Sequence, residues 1–378
     1  MKTVVIAGYA RTPFTPAKKG ALARVRPDEM AAQLVRQFVA RSNVKPDEIE
    51  DLILGCAIPE GEQGLNVARL IGLLAGLPQS VGGQTINRFC GSSMQAVHAA
   101  AGAIQMGAGE VFICAGVESM TRVPMTGFNP FPHPGLARSL PGAYLGMGDT
   151  AENVAKQWHI TRAQQDEFAL RSHQKAAKAQ AEGLFKDEII AIDTGKGVVD
   201  SDGCIRADTT LDALAQLKPA FNQEGTVTAG TASPLTDGAS VVLVCTAEYA
   251  ERNGFTPLAR VVSFAISGCA PEIMGIGPVG ASRKALARAG IKASALDVIE
   301  LNEAFASQSL ACIQDLDLNP DAVNIDGGAI AIGHPLGATG ARITGKAASL
   351  LKRRGGRYAL ATQCIGGGQG IATVLEAL

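Results

Sequence analysis

Aromatic side chains are scarce in this chain. Phe, Tyr and Trp make up 4% of its 378 residues and Trp occurs once, which argues for close helix–sheet packing and against stacking surfaces for bases. No basic run is longer than Lys352-Arg353-Arg354 and the formal net charge is −1, so the electrostatic footprint of a nucleic-acid partner is missing. No apolar run approaches the roughly 20 residues of a membrane helix. Met1-Lys2 leads straight into Thr3-Val4-Val5-Ile6-Ala7-Gly8, a strand pattern too short for a secretory signal. The eight cysteines have no CxxC spacing, and none of the five histidines stands at metal-ligand spacing from a cysteine or another histidine. Neither a disulfide framework nor a metal site is expected, and a reducing, cytoplasmic setting is. The carboxyl end, Leu375-Glu376-Ala377-Leu378, carries no peroxisomal address. Nucleotide motifs are also wanting. No GxGxxG opens the first strand–helix unit, and Gly340-Ala341-Arg342-Ile343-Thr344-Gly345-Lys346-Ala347 imitates a phosphate loop but lacks the final hydroxyl and lies in a helical pattern.

What is present is apolar and repetitive. Apolar residues are 47% and charged ones 18%, enough for a large core and against disorder. Val44-Lys45-Pro46-Asp47-Glu48-Ile49-Glu50-Asp51-Leu52-Ile53-Leu54 is echoed by Ile291-Lys292-Ala293-Ser294-Ala295-Leu296-Asp297-Val298-Ile299-Glu300-Leu301. The strand-like Glu110 to Gly116 is echoed by Arg357 to Cys364, and Thr3 to Gly8 by Ala259 to Ser263. The offset is about 250 residues throughout, so one α/β unit is written twice, strands alternating with helices. The expected division is an N-terminal half over 1–118 with 234–255, an insert over 119–233, and a C-terminal half over 256–378. Pro124, Pro130, Pro132, Pro134 and Pro141 mark a stretch of the insert that is not expected to be helical. Thr161 is the expected cap of a polar helix after it. A long insert between packed halves reads as a lid over a site.

Three glycine-marked turns concentrate the reactive groups. Asn87-Arg88-Phe89-Cys90-Gly91-Ser92-Ser93 places a cysteine at the start of a helical run, where the macrodipole favours a thiolate. His334 lies between Gly333 and Pro335, amid Gly327, Gly328, Gly337 and Gly340, in the role of a base. Cys364 enters Gly366-Gly367-Gly368, a turn whose free N–H groups suit an oxyanion. Asn302 ends the duplicated strand of the second half and can orient a water. Each has a plainer reading: a buried thiol for the cysteines, a core ring for the histidine, a helix cap for the asparagine. Together they make a nucleophile, a base and a second acid/base, the set needed to make or break a carbon–carbon bond at a thioester.

With Gly116-Val117-Glu118-Ser119-Met120, Asn302-Glu303-Ala304-Phe305-Ala306 and Cys364-Ile365-Gly366-Gly367-Gly368-Gln369-Gly370, these segments resemble those of the thiolases, in order over essentially the whole chain. The resemblance implies a five-layered αβαβα fold built from duplicated halves, with the insert as a loop domain that binds coenzyme A. It implies Cys90 as acylated nucleophile, His334 as its base and Cys364 as acid/base at the α-carbon. One oxyanion hole is His334 with a water held by Asn302; the other is the backbone N–H groups of Cys90 and Gly366. Arg206, Phe221 and Ser233 fall where the family contacts coenzyme A, and Met147, Met274 and Phe305 where it lines the thioester pocket. CoA is a co-substrate and no permanently bound cofactor is implied.

The match is closest to the degradative 3-ketoacyl-CoA branch. Biosynthetic acetoacetyl-CoA members typically carry a histidine just before the Met147-Gly148 pair, and this chain has Gly146 there, which leaves room for a longer acyl chain. The expected reaction is thiolytic cleavage of 3-ketoacyl-CoA in fatty-acid β-oxidation, with condensation of two acetyl-CoA as the alternative. A homodimer or homotetramer is implied, with a β-oxidation multifunctional subunit as a further partner. Ketosynthases of similar fold use a cysteine with two histidines. A carrier without chemistry should lack one of the four groups, and this chain keeps Cys90, Asn302, His334 and Cys364.

Overall fold

The computed structural model describes all 378 residues. Apart from a two-stranded pair, Ile192–Asp193 with Val198–Val199, its strands form one large sheet around a central seam, where Val4–Arg11 pairs antiparallel with Ala259–Gly268 through Val5–Arg260 and Ile6–Ala259. Outward from the seam run Thr236–Thr246, Val111–Ser119, Asp51–Gly55 and Gly82–Ile86 on one side. On the other run Gln369–Glu376, Tyr358–Ile365 and Val298–Leu301, and Val323 adds a single parallel bridge to Ile299. The registers correspond as well: Asp51 faces Phe112 as Val298 faces Ala359. The repeat read in the sequence is thus a repeat of strand order and register.

The interior strands are apolar on both faces because helices cover both. Val111–Ser119 and Thr236–Thr246 are buried along their whole length, as doubly covered strands must be. Pro27–Ser42 and Val67–Leu74 cover the outside of the first half, packing Met30, Leu34, Val35 and Ile71 on Leu52, Ile113 and Leu243. Gly277–Ala289 and Ala306–Leu316 do the same for the second half, with Val279, Leu286 and Cys312 on Ile299, Leu360 and Val374. Between the halves lie Ser92–Gln105 and Leu336–Arg354, sharing a core of Met94, Val97, Ile104, Ile343, Leu350 and Leu351. These are five layers, α on β on α on β on α. The central helices touch backbone to backbone: a Cβ on Gly340 would lie 2.2 Å from the Met94 nitrogen, so glycine is required there.

The stretch between Ser119 and Thr236 adds no strand to the large sheet. The proline-marked part contains a helix at Pro134–Ser139 and a 3₁₀ turn at Pro141–Tyr144. The expectation of no helix fails there because each proline takes the first position, where its missing N–H costs nothing. Thr161 caps Arg162–Ala181 with a full capping box to Gln164. The insert is also less free than a lid. Glu188 binds Arg11 of the first half at 2.8 Å and Lys346 of the second at 2.7 Å, while Asp202 takes Arg11 at 2.6 Å. All four side chains are buried. Breaking such a pair leaves an uncompensated charge, which costs about 3–5 kcal/mol, so Glu188 and Asp202 tie this part of the stretch to both halves. No helix is long and apolar enough to cross a membrane.

Candidate active site

Both central helices start at one cleft. Cys90 stands just ahead of the helix from Ser92 and His334 just ahead of the helix from Leu336. Phe89 precedes Cys90 with φ at 43°, a left-handed conformation costly for a bulky residue. The turn is held all the same. Ser92 Oγ donates to the Phe89 carbonyl and accepts from the Arg88 N–H at 2.9 Å, and Gln363 of the opposite half donates to the Cys90 carbonyl. On the other side Gly333 has φ at 111°, and a Cβ there would strike Thr236. Thr236 Oγ1 accepts the His334 N–H at 3.0 Å.

Cys90, His334 and Cys364 line one cavity of about 240 Å³. Thr339 Oγ1 lies 2.6 Å from His334 Nδ1 and donates its own proton to the Pro335 carbonyl. It therefore accepts from Nδ1–H, which leaves Nε2 as the unprotonated ring nitrogen. Asn302, fully buried, donates from Nδ2 toward that Nε2 at 3.4 Å, and its Oδ1 has no protein partner. The Gly366 and Cys90 N–H groups favour the ionised form of the Cys90 sulfur.

The protonation states differ from those expected at a helix start. Burial pushes the Cys90 thiol up to about 11, further raised by Glu118, while the Gly366 and Cys90 N–H groups pull it down. Burial, with Arg342 nearby, pushes His334 down to about 3. Burial and then the Cys90 sulfur raise the Cys364 thiol well above its ordinary value. Desolvation is the largest influence on all three and works against their charged forms.

The other residues picked out in the sequence separate into two groups. Met147, Phe221, Ser233, Met274 and Phe305 line the cavity, as does Gly146. Phe221 meets Phe305 edge to face with centroids 6.0 Å apart. Arg206 is not among the lining residues; it is exposed, and its N–H donates to His173 Nδ1. Sequence reasoning gave no role to Glu118, which is buried behind Cys90, or to Met120, Met125 and Leu336, which complete the apolar wall. A lone acid ending the run Val111-Phe112-Ile113-Cys114-Ala115-Gly116-Val117 was the available signal.

Comparison with known proteins agrees with this architecture. Residues 4–248 match the thiolase N-terminal domain and residues 255–377 the thiolase C-terminal domain. The chain is 50% identical to a 3-ketoacyl-CoA thiolase of Vibrio cholerae and 47% identical to one of Bacillus subtilis, over the full length of both chains in each case. The crystal structure of the Bacillus anthracis acetyl-CoA acetyltransferase superimposes with a TM-score of 0.91 at 42% identity, covering 100% of this chain and 99% of that one. Duplicated five-layer fold, family models over both halves and full-length relatives lead to one conclusion: the chain belongs to the thiolase family.

Proposed function

We propose that this protein cleaves 3-ketoacyl-CoA with CoA, giving acetyl-CoA and an acyl-CoA shortened by two carbons. The observation that carries this reading is the convergence of Cys90, His334 and Cys364 on one apolar cavity, with Asn302 beside His334. His334 Nε2 takes the thiol proton as the Cys90 sulfur attacks the 3-keto carbon. The resulting oxyanion sits against the N–H groups of Cys90 and Gly366. The bond between C2 and C3 then breaks, and its electron pair forms the enolate of acetyl-CoA. Protonated His334 and a water oriented by Asn302 hold the enolate oxygen, and Cys364 delivers the proton to C2. After acetyl-CoA leaves, Cys364 takes the proton of the incoming CoA thiol. The CoA sulfur attacks the acyl carbon, and Cys90 departs as thiolate and recovers its proton from His334.

The raised Cys90 thiol and lowered His334 fit this order, since charge is created only as the sulfur attacks. Met147, Met274 and Phe305 line the thioester path in this reading, and Phe221 and Ser233 hold the pantetheine. Arg206, exposed beyond the cavity, suits the charged nucleotide end of CoA. The insert over 119–233 is the CoA-binding domain, joined to halves over 1–118 with 234–255 and over 256–378.

Gly146 at the cavity wall supports the degradative direction and a role in fatty-acid β-oxidation in the cytoplasm. The specific observation for the reverse, condensing direction is the structural likeness to an acetyl-CoA acetyltransferase. A homodimer or homotetramer is supported by Gly82–Ile86, a sheet edge with no outer neighbour. Leu65, Leu70, Leu73 and Leu74 lie exposed in and just before the adjacent helix. A multifunctional β-oxidation subunit would bind such an assembly. Thiolysis of 3-ketoacyl-CoA esters from four to sixteen carbons, with the acyl group located by mass on Cys90, tests the reading. Cleavage of the four-carbon ester alone would return the protein to the condensing branch.

A further inference from the structure

Glu118 ends the buried strand Val111–Ser119 and is 1% exposed. Its carboxylate meets only donors. Oε2 accepts from the Ala57 and Gly337 N–H groups, each at 2.8 Å; Oε1 accepts from Gln63 Nε2 at 2.7 Å and the Ile58 N–H at 3.3 Å, with the Cys56 thiol at 3.9 Å. Burial is the largest influence and leaves the carboxyl raised above its ordinary value, with these donors offsetting part of the rise. Neither a protonated carboxyl nor an amide fits this shell, because either would turn a proton toward an N–H.

The donors come from two places that matter. Ala57 packs against Cys90 in the same small cluster as Met120 and Leu336. Gly337 lies in the first turn of the helix that follows His334. One carboxylate therefore ties the wall behind the sulfur of the first half to the histidine turn of the second.

We propose that Glu118 is a positioning residue, a fixed negative charge whose hydrogen bonds to Ala57, Ile58, Gln63 and Gly337 set the Cys90 sulfur against His334 and place that charge behind the sulfur. The positioning part rests on the thiolytic reading above; the charge part does not, because alkylation of Cys90 needs no substrate. Besides Glu118, the titratable groups facing Cys90 are His334, Cys364 and Asp149 across the cavity, and all are left intact in the test.

The test measures two quantities on the full-length protein: iodoacetamide alkylation of Cys90 by peptide mass across pH 7–10, and kcat and KM for thiolysis. Glu118→Gln removes the charge, so alkylation at pH 8 should rise about threefold or more. Its kcat should fall about tenfold to a hundredfold, with KM for CoA within about twofold. Glu118→Asp keeps the charge but shortens the reach, so kcat should fall while alkylation stays at the wild-type rate. A variant that merely loosened the fold would not separate the two readouts in this way. Gln63→Met, which deletes one donor and leaves the charge, decides the case if Glu118→Gln does not fold: kcat should drop and alkylation should not rise. Wild-type kcat in the Glu118 variants, or in Gln63→Met, overturns the positioning role. Unchanged alkylation in a folded Glu118→Gln overturns the charge role.

Discussion

The two halves put different chemistry at the same place. In each, a turn just ahead of a central helix presents one reactive side chain to the shared cleft, Cys90 in the first and His334 in the second. Away from those turns the halves diverge. The second adds Asn302 at the end of Val298–Leu301 and Cys364 near the end of Tyr358–Ile365. The corresponding positions in the first half, Gly55 and Val117, carry no reactive group, though Glu118 stands next to the second. The first half instead keeps a full fifth strand, Gly82–Ile86, where the second has only the bridge at Val323. Duplication supplied two helix starts facing each other; the division of labour came from single positions at strand and helix ends. In this reading the first half receives the acyl group and the second manages protons and the carbanion.

The most severe way to break that division is Cys90→Ser, which should reduce thiolysis to background while circular dichroism and thermal stability stay at wild-type values. Residual turnover with the acyl group on another residue would reassign the first half. Cys364→Ala should slow full turnover by roughly 10²–10⁴-fold and stop exchange of the acetyl-CoA methyl protons with deuterated water. Transfer of a simple acyl group onto Cys90 should persist, since that step forms no carbanion; equal loss of both would mean the halves do not divide the work. Asn302→Ala should cost about 10²–10³-fold in cleavage and much less in simple acylation, as read by comparing the two rates.

The protonation states sharpen the contrast further. Because the Cys90 thiol is pushed up to about 11, its thiolate fraction at neutral pH is lower than that of a free cysteine. Alkylation should therefore climb close to tenfold per pH unit through pH 9–10, where a free cysteine levels off. A plateau below pH 8 would show an activated thiolate in the resting site. The smallest effect is expected at Gly146. A Cβ there would lie 2.9 Å from Asp149 Oδ2, a side-chain atom that can move, so Gly146→His is tolerated and fills the cavity wall. Preference should shift toward acetoacetyl-CoA by about 0.8 kcal/mol per methylene lost, seen as a steeper fall in kcat/KM with chain length.

Much of this was legible in the residues. Alternating apolar runs and the echo of Val44–Leu54 in Ile291–Leu301 identified the repeat, because a buried strand and its flanking turn leave a pattern that burial dictates. The three glycine-rich turns pointed to Cys90, His334 and Cys364, because close backbone approach restricts those positions to small residues. What stayed hidden depended on three-dimensional surroundings. Cys90 read as a favoured thiolate because the sequence displays the helix start and not the depth of burial. Glu118 was visible only as an oddity in an apolar strand, since its donors come from Ala57, Ile58, Gln63 and Gly337, distant in the chain. The anchoring of the insert through Glu188 and Asp202 left no local pattern, because both partners, Arg11 and Lys346, lie in other parts of the chain.

The position of Thr236–Thr246 bears on how the chain is made. It lies between Val4–Arg11 and Val111–Ser119 in the sheet, yet follows the whole insert in the chain. A nascent chain emerging at roughly 5–20 residues per second spends on the order of ten seconds between completing Ser119 and supplying this strand. During that interval two apolar strands wait with their facing edges unpaired, open to mispairing with one another or with a neighbouring nascent chain. In the second half Tyr358–Ile365 is followed at once by its partner Gln369–Glu376, and only Ala259–Gly268 waits, from Gly268 to Gln369, for that same strand. The longer wait falls to the half that carries Cys90, whose two strand edges stay open until the whole stretch from Ser119 to Thr236 has been made.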